Sequence, residues 1–238
     1  MNRYTHNIYY NNKTLYLIKL VVKRRKFIYT LYWDRGGANM ATHAILEALG
    51  VPYKLIEIDL TKQMQKTPEY LAINPNGKVP TLQHNEHVIY ESSAILMYIL
   101  DQHPESGLAP ALNSSKRGYY YQYLIWMSNT LQEAVDRWAH PENYISDDEG
   151  LEEIKDKGNQ ILVSCWDILN TDLGKKGPWL LGDELSGADF HLFMITYWSH
   201  GYDSRAEDWP NLRSHIQAML KLDSIQKMMT QEGLNFDC

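Results

Sequence analysis

The sequence predicts a mixed α/β domain followed by an all-helical domain. Strand and helix signals alternate between residues 27 and 103, as expected of an α/β domain. Residues 104–113 contain two prolines and a glycine, and such a stretch indicates a linker between domains. From residue 114 to residue 238 the apolar residues recur at helical spacing, which predicts a domain built of helices. A chain of 238 residues is long enough for both domains.

The first domain is predicted to contain four strands and three helices. Aromatic and β-branched residues mark the first strand, and Gly50 marks the end of the first helix. A strand–helix–strand unit makes its two strands parallel, whereas the last two strands pair antiparallel across Asn85 and Glu86. This order of elements is that of a thioredoxin-like domain. The predicted strands are 27–33, 51–60, 79–83 and 87–90, and the predicted helices are 40–49, 67–71 and one that runs from Ser92 or Ser93 to Gln102.

Long helices make up the predicted second domain. Tyr123, Met127 and Leu131 share one face of its first helix through their i, i+4 spacing. Ser186 and Asp189 have the spacing of an N-capping pair ahead of an apolar helix, so we expect them to be structural. The predicted helices run over 114–139 and 147–173, and two further helices begin at Pro210 and Asp223.

The composition limits the possible functions. The net charge of −6 gives no reason to expect general affinity for nucleic acid. Cys165 and Cys238 lie far apart in the chain, which is consistent with a reducing compartment and predicts a cytoplasmic protein. No apolar run is long enough to span a membrane, and the nine histidines lack metal-site spacing, so neither a membrane nor a metal is expected.

Residues 1–26 differ from the rest of the chain, because their charged residues are seven lysines and arginines with no acid. They lack the pattern of a signal peptide. We predict a disordered extension, and the alternative is a basic tail that binds anionic surfaces.

Two neighbouring motifs predict a binding site for a small peptide. Asn-Pro-Asn-Gly at 74–77 is a turn, and Val79–Pro80 after it is a candidate for a cis peptide bond. Such a bond would turn the backbone N–H and C=O of Val79 outward to pair with an extended peptide. Ser92 begins a helix and offers an anion site, while the carboxylate of Glu91 suits an ammonium group. Together these groups match a peptide that carries an α-amino and an α-carboxylate at one end.

Over residues 27–235 the sequence resembles cytosolic glutathione transferases, and bacterial members of that family in particular. The resemblance rests on Asn-Pro-Asn-Gly-Lys-Val-Pro-Thr-Leu at 74–82 and Tyr-Glu-Ser-Ser-Ala-Ile at 90–95. It implies a detoxification enzyme and homodimer that transfers glutathione to a small hydrophobic electrophile, with no metal. The implied glutathione-binding residues are Lys78, Val79, Pro80, Glu91 and Ser92.

The resemblance also implies a pocket for the second substrate and a group that activates the glutathione thiol. The pocket is expected to be apolar and to lie near Trp33, Tyr123 and Trp126. The family places a tyrosine, serine or cysteine just after the first strand, but here those positions hold Trp33, Ala38 and Asn39. The amide of Asn39 can donate to a thiolate, so Asn39 is the predicted catalytic residue, or it only caps the first helix.

Two alternatives to an active transferase follow from these departures. The first is a non-catalytic protein of the same fold that binds glutathione or a partner without activating the thiol. The second is an interaction protein that acts through its basic N-terminal segment. Binding of glutathione with turnover, binding alone, or neither would distinguish the three.

Overall fold

The computed structural model describes residues 29–146 and 148–236, so the predicted extension at 1–26 and Cys238 lie outside the described residues. The strands are β1 (Tyr29–Trp33), β2 (Tyr53–Glu57), β3 (Thr81–His84) and β4 (His87–Tyr90). The α-helices of the described ranges are α1 (Met40–Leu49), α2 (Pro68–Leu71), α3 (Ser92–Gln102), α4 (Lys116–Trp126), α5 (Gln132–Ala139), α6 (Leu151–Lys176), α7 (Gly187–Trp198), α8 (Pro210–Met219) and α9 (Asp223–Glu232).

The four strands form one mixed sheet in the order β2-β1-β3-β4. Strand β1 is parallel to β2, and β3 is antiparallel to both β1 and β4, which confirms the predicted strand directions. Strand β2 is shorter than the predicted 51–60 because the side chain of Asp59 accepts from the N–H groups of Thr61 and Lys62 and starts a 3₁₀ turn. The thioredoxin-like order of the first half of the chain is confirmed.

The second half of the chain is helical, as predicted. The helix predicted over 114–139 begins at Lys116 and reaches Ala139, but a π-helical segment at Met127–Leu131 joins α4 to α5. Tyr123, Met127 and Leu131 are all buried, which confirms their shared face. Helix α6 packs along α5.

Helix α7 lies at the centre of the helical half, because every residue from Gly187 to Thr196 is buried. Asp189 accepts hydrogen bonds from the N–H groups of Ser186 and Leu180, at 2.9 Å each. The predicted capping pair is therefore confirmed, and it also ties the preceding segment to the helix. In the described part of the chain, no helix is long and apolar enough to cross a membrane.

Candidate functional site

A cavity of about 820 Å³ lies between the sheet and the helical half. Lys78, Glu91 and Ser92, three of the predicted binding residues, line this one cavity. The facing wall comes from α5, α7 and the C-terminal segment, and it includes Glu133, Asp136, Tyr197, Trp198, Tyr202 and Asn235. The cavity therefore brings together residues that are far apart in the sequence.

The turn that carries Lys78 is held in place by buried polar groups. The side-chain amide of Asn74 donates to the carbonyl of Lys78 at 2.9 Å, and the hydroxyl of Tyr70 donates to the same carbonyl at 2.8 Å. Gly77 has a φ of +57°, and a Cβ there would lie 2.8 Å from the carbonyl oxygen of Gln65, so only glycine fits. The ammonium of Lys78 has no partner among the described residues and remains available to a ligand.

Val79 presents an unpaired stretch of backbone beside this turn. The peptide bond between Val79 and Pro80 is cis. Neither the N–H nor the C=O of Val79 forms a hydrogen bond within the described residues. A free donor and acceptor directly before β3 can pair with an extended peptide as an added strand would.

Glu91 stands at the junction of β4 and α3 in an uncommon backbone conformation. Its φ is +72°, a region that side-chain-bearing residues rarely adopt and that costs about 1–3 kcal/mol. The residue is exposed at the cavity, and its carboxylate makes no ion pair among the described residues. The strained backbone holds an unpaired carboxylate at the cavity wall, where it can receive an ammonium group.

Ser92 joins α3 to the loop that precedes α1. Its Oγ donates to the carbonyl of Ala38 at 2.9 Å, so the start of α3 and the end of that loop are adjacent. Ser92 is also the first residue of α3, where N–H groups lack helical acceptors. The hydroxyl oxygen and these N–H groups provide a site for a carboxylate.

The side chain of Asn39 is fully buried and is held from both ends. Its amide oxygen accepts from the N–H of Asp34 at 3.0 Å, and its amide nitrogen donates to Glu232 at 3.0 Å. It makes no side-chain cap to α1, so the capping alternative is wrong. Asn39 does not line the cavity either, and its amide nitrogen is already engaged. Its side chain organises the loop over residues 34–39.

Two backbone N–H groups at the start of α1 are free. Ala38 and Asn39 donate no hydrogen bond within the described residues, whereas the neighbouring N–H of Gly37 donates to Asp34 and that of Met40 to Gly37. They lie where the positive end of the helix dipole falls, next to the carbonyl that Ser92 binds. The first turn of α1 therefore offers unpaired donors to an anion close to Ser92.

The three residues predicted for the second-substrate pocket do not line the cavity. Trp33 packs its ring against the ring of His43, with 6.4 Å between centroids. Tyr123 is buried, and its hydroxyl donates to Asp172 at 2.5 Å. Trp126 packs against the helical core. Tyr123 faces away from the cavity because its side of α4 meets α6, a packing direction that the local spacing left open.

The facing wall of the cavity was not anticipated from the sequence. Tyr197, Trp198 and Tyr202 come from the end of α7 and the segment after it. The indole N–H of Trp198 also donates to the carbonyl of Gly36 at 2.8 Å, which connects this wall to the loop before α1. The aromatic run near the end of an apolar helix is the only local signal, and it does not distinguish a cavity wall from core.

The wall is mixed in character rather than apolar. Glu133 and Asp136 both contact the hydroxyl of Tyr144, at 2.9 and 2.8 Å, and burial is the largest of the effects that raise the pKa of this tyrosine. Glu133 is also paired with Arg137 at 3.1 Å. Within the described residues, no group of three or more histidine, cysteine or acidic side chains is placed to hold a metal ion.

Comparison with known proteins adds to this geometry. Residues 29–101 match the model of the glutathione S-transferase N-terminal domain, and residues 132–218 match a model of the glutathione S-transferase C-terminal domain. Together the two matches cover both halves of the chain and both walls of the cavity.

Individual relatives align with about three quarters or more of the chain. Glutathione S-transferase GST-4.5 of Xanthomonas campestris pv. campestris is 26% identical over 205 residues, which is 86% of this chain and 99% of the relative. Glutathione S-transferase 1 of Dianthus caryophyllus is 31% identical over 178 residues, or 74% of this chain and 79% of the relative. A solved sphingomonad glutathione S-transferase complexed with glutathione is 26% identical with a TM-score of 0.75, covering 87% of this chain and 100% of that chain.

Proposed function

The chain belongs to the glutathione S-transferase family, and from this premise we propose that its cleft binds glutathione and promotes attack of the thiolate on a small electrophile. The proposal rests on one observation above all: one cavity is lined by Lys78, Glu91 and Ser92. An unpaired cation, an unpaired carboxylate and a helix N-terminus complement the carboxylates and the ammonium of this tripeptide.

Glutathione lies along one wall of the cavity in this proposal. The γ-glutamyl end places its carboxylate at the start of α3, by Ser92, and its ammonium at Glu91. The cysteinyl residue pairs its backbone with Val79, next to Pro80, and the glycyl carboxylate reaches Lys78. This orientation puts the sulfur beside the loop over residues 34–39, because Ser92 already contacts Ala38 there.

We assign stabilisation of the thiolate to the backbone N–H groups of Ala38 and Asn39. They have no acceptor of their own, and hydrogen bonds to the charged form lower the pKa of a thiol. A free thiol has a pKa of about 8.5, and each unit of lowering corresponds to about 1.36 kcal/mol in favour of the anion. The side chain of Asn39 acts indirectly by holding the loop.

In the reaction, the thiol proton passes to solvent and the thiolate sulfur forms a bond to an electrophilic carbon. A leaving group departs with the electron pair of its former bond. We place the electrophile against Tyr197, Trp198 and Tyr202 rather than against Trp33, Tyr123 and Trp126. The aromatic rings give that wall apolar contact, and Asp136 and Glu133 give it polar contact.

We further propose a homodimer that pairs the sheet edge of one subunit with helix α4 of the other. Large apolar side chains are exposed on both surfaces, namely Val88 and Tyr90 on β4, and Tyr121 and Ile125 on α4. Contiguous exposed apolar surface indicates a contact site. A cytoplasmic location and a role in detoxification stay predictions from the family resemblance.

The proposed function is tested by retention on immobilised glutathione together with turnover of a nitro-activated aryl chloride. We expect both, because the site contains a complete set of partners for the peptide and free donors for its sulfur. Retention without turnover would indicate a binding protein that does not activate the thiol. Loss of both would contradict the proposal.

A further inference from the structure

Glu232, the last residue of α9, makes a cluster of buried contacts at the loop over residues 34–39. Its side chain has no exposed surface. One carboxylate oxygen accepts from the N–H of Gly36 at 3.0 Å. The other accepts from the amide of Asn39 at 3.0 Å and lies 2.7 Å from Nδ1 of His43. One carboxylate thus contacts the middle of the loop, its end and the helix that follows.

The other contacts around this carboxylate reinforce the same junction. Arg35 donates to the carbonyl of Gly233, which directly follows Glu232. The indole N–H of Trp198 donates to the carbonyl of Gly36, the same residue whose N–H donates to Glu232. The end of α9 and Trp198 therefore hold the loop together through several hydrogen bonds.

We propose that Glu232 is a positioning residue for the glutathione thiolate. It sets the conformation of the loop and thereby aims the free N–H groups of Ala38 and Asn39 at the sulfur. The inference rests on the proposed function, and it assigns to the C-terminal helix a part in thiol activation. Glu232 does not line the cavity, so it acts through the loop and not by touching glutathione.

The direction of the effect separates positioning from a simple charge effect. A negative charge near a thiolate raises the thiol pKa, so removing the charge of Glu232 would lower that pKa if only its field mattered. Positioning has the opposite sign, because a disordered loop no longer holds its donors toward the sulfur. A purely structural role lowers the melting temperature and leaves the thiol pKa where it was.

The test is the pKa of glutathione bound to the intact protein, read from thiolate absorbance against pH. We expect Glu232→Gln to raise this pKa by about one unit, which is about a tenfold loss of thiolate at a pH below both values. Affinity for S-methylglutathione, which has no thiol to ionise, is expected to stay within about twofold. Glu232→Asp keeps the charge but shortens the reach by one methylene, so it is also expected to raise the pKa.

Gln231→Ala is the matched control. Gln231 lies on the same turn of α9 and bonds Tyr53, Glu47 and Nε2 of His43, and among the described residues it makes no bond to the loop. We expect it to lower the melting temperature and to leave the thiol pKa unchanged.

Three results would overturn the inference: folded Glu232 variants that titrate as the wild type does, a lowered pKa in Glu232→Gln, or a raised pKa in the control.

A measurement on the wild type tests the inference even if the variants fail to fold. The amide of Gly36 should be protected from hydrogen exchange, and exchange at the rate of an unfolded chain would also overturn the inference. If wild-type glutathione shows no lowered pKa at all, the proposed function fails instead.

Discussion

Glu91 bears on ligand binding through both its backbone and its side chain. Its carboxylate lines the cavity and makes no ion pair in the part of the chain that the structure describes, so neutralising it should weaken glutathione binding while leaving the fold intact. We expect Glu91→Gln to reduce affinity by about tenfold or more, since a charge-assisted hydrogen bond contributes about 1.5–3 kcal/mol. Calorimetric titration measures this change. Glu86→Gln, in the exposed turn between β3 and β4, is the control, and equal affinities in both variants would move the ammonium site elsewhere.

His191 is a residue whose burial makes stability depend on pH. It has no exposed surface, neither ring nitrogen has a hydrogen-bond partner among the described residues, and burial lowers the pKa of the imidazole to about 4 from 6.5. Between pH 6.5 and 4 the unfolded chain binds a proton here and the folded chain does not, so stability falls as pH falls through this window. From pH 7.5 to pH 5 the loss is about 2 kcal/mol.

His191→Leu removes this titrating group. Urea denaturation at the two pH values should therefore show a smaller loss of stability in the variant than in the wild type, by about 2 kcal/mol. The quantity compared is the change in the free energy of unfolding between the two pH values, so the overall stability of the variant does not affect the result. Parallel pH dependence in the two proteins would show that His191 titrates normally.

Individual cavity-lining residues could be predicted where a local motif carries them. Lys78, Glu91 and Ser92 follow from two short stretches whose turn and cap chemistry fixes the backbone nearby. Glu232 could not be predicted, because its partners lie 189 to 196 residues away and nothing in its own turn of helix distinguishes it from a surface glutamate. The main contact of the Asn39 side chain could not be predicted for the same reason, because its amide donates to that distant carboxylate.

At the scale of elements, the start of α7 organises the helical half through Asp189. Asp189→Ala leaves the buried N–H groups of Leu180 and Ser186 without acceptors. Each unpaired donor costs about 1–3 kcal/mol, so we expect a total loss of about 3 kcal/mol. For a chain of this size that loss lowers the melting temperature by about 6–12 °C. Asp183→Ala, at an exposed site six residues earlier, should change it little, and similar melting temperatures for the two variants would contradict the capping role.

Strand directions and most helix positions were predictable because the spacing of apolar residues and the residue types at turns are local properties of the sequence. The π-helical segment between α4 and α5, which contacts α6, was not predictable from the local spacing of residues. Contact with α6 also turns Tyr123 away from the cavity, since its hydroxyl donates to Asp172. Helical spacing predicts which residues share a face, but it does not say which neighbouring element that face meets.

At the scale of the whole molecule, the exposed apolar side chains on β4 and α4 predict that two subunits pair. We expect light scattering to give twice the chain mass at micromolar concentration. Ile125→Glu places a charge in the proposed contact on α4, where the wild-type side chain is 48% exposed, and should yield monomer. Ile168→Glu alters a side chain that is 50% exposed on α6 and serves as the control. A wild type that remains monomeric throughout would contradict the proposed interface.

In our proposal the cleft binds glutathione and stabilises its thiolate with free N–H groups at the start of α1. The most direct measurement is the thiolate absorbance of glutathione bound to the wild-type protein, recorded against pH. We predict a bound thiol pKa at least about one unit below the value near 8.5 of a free thiol. Bound glutathione that titrates as it does in free solution, or no bound glutathione at all, would contradict the account.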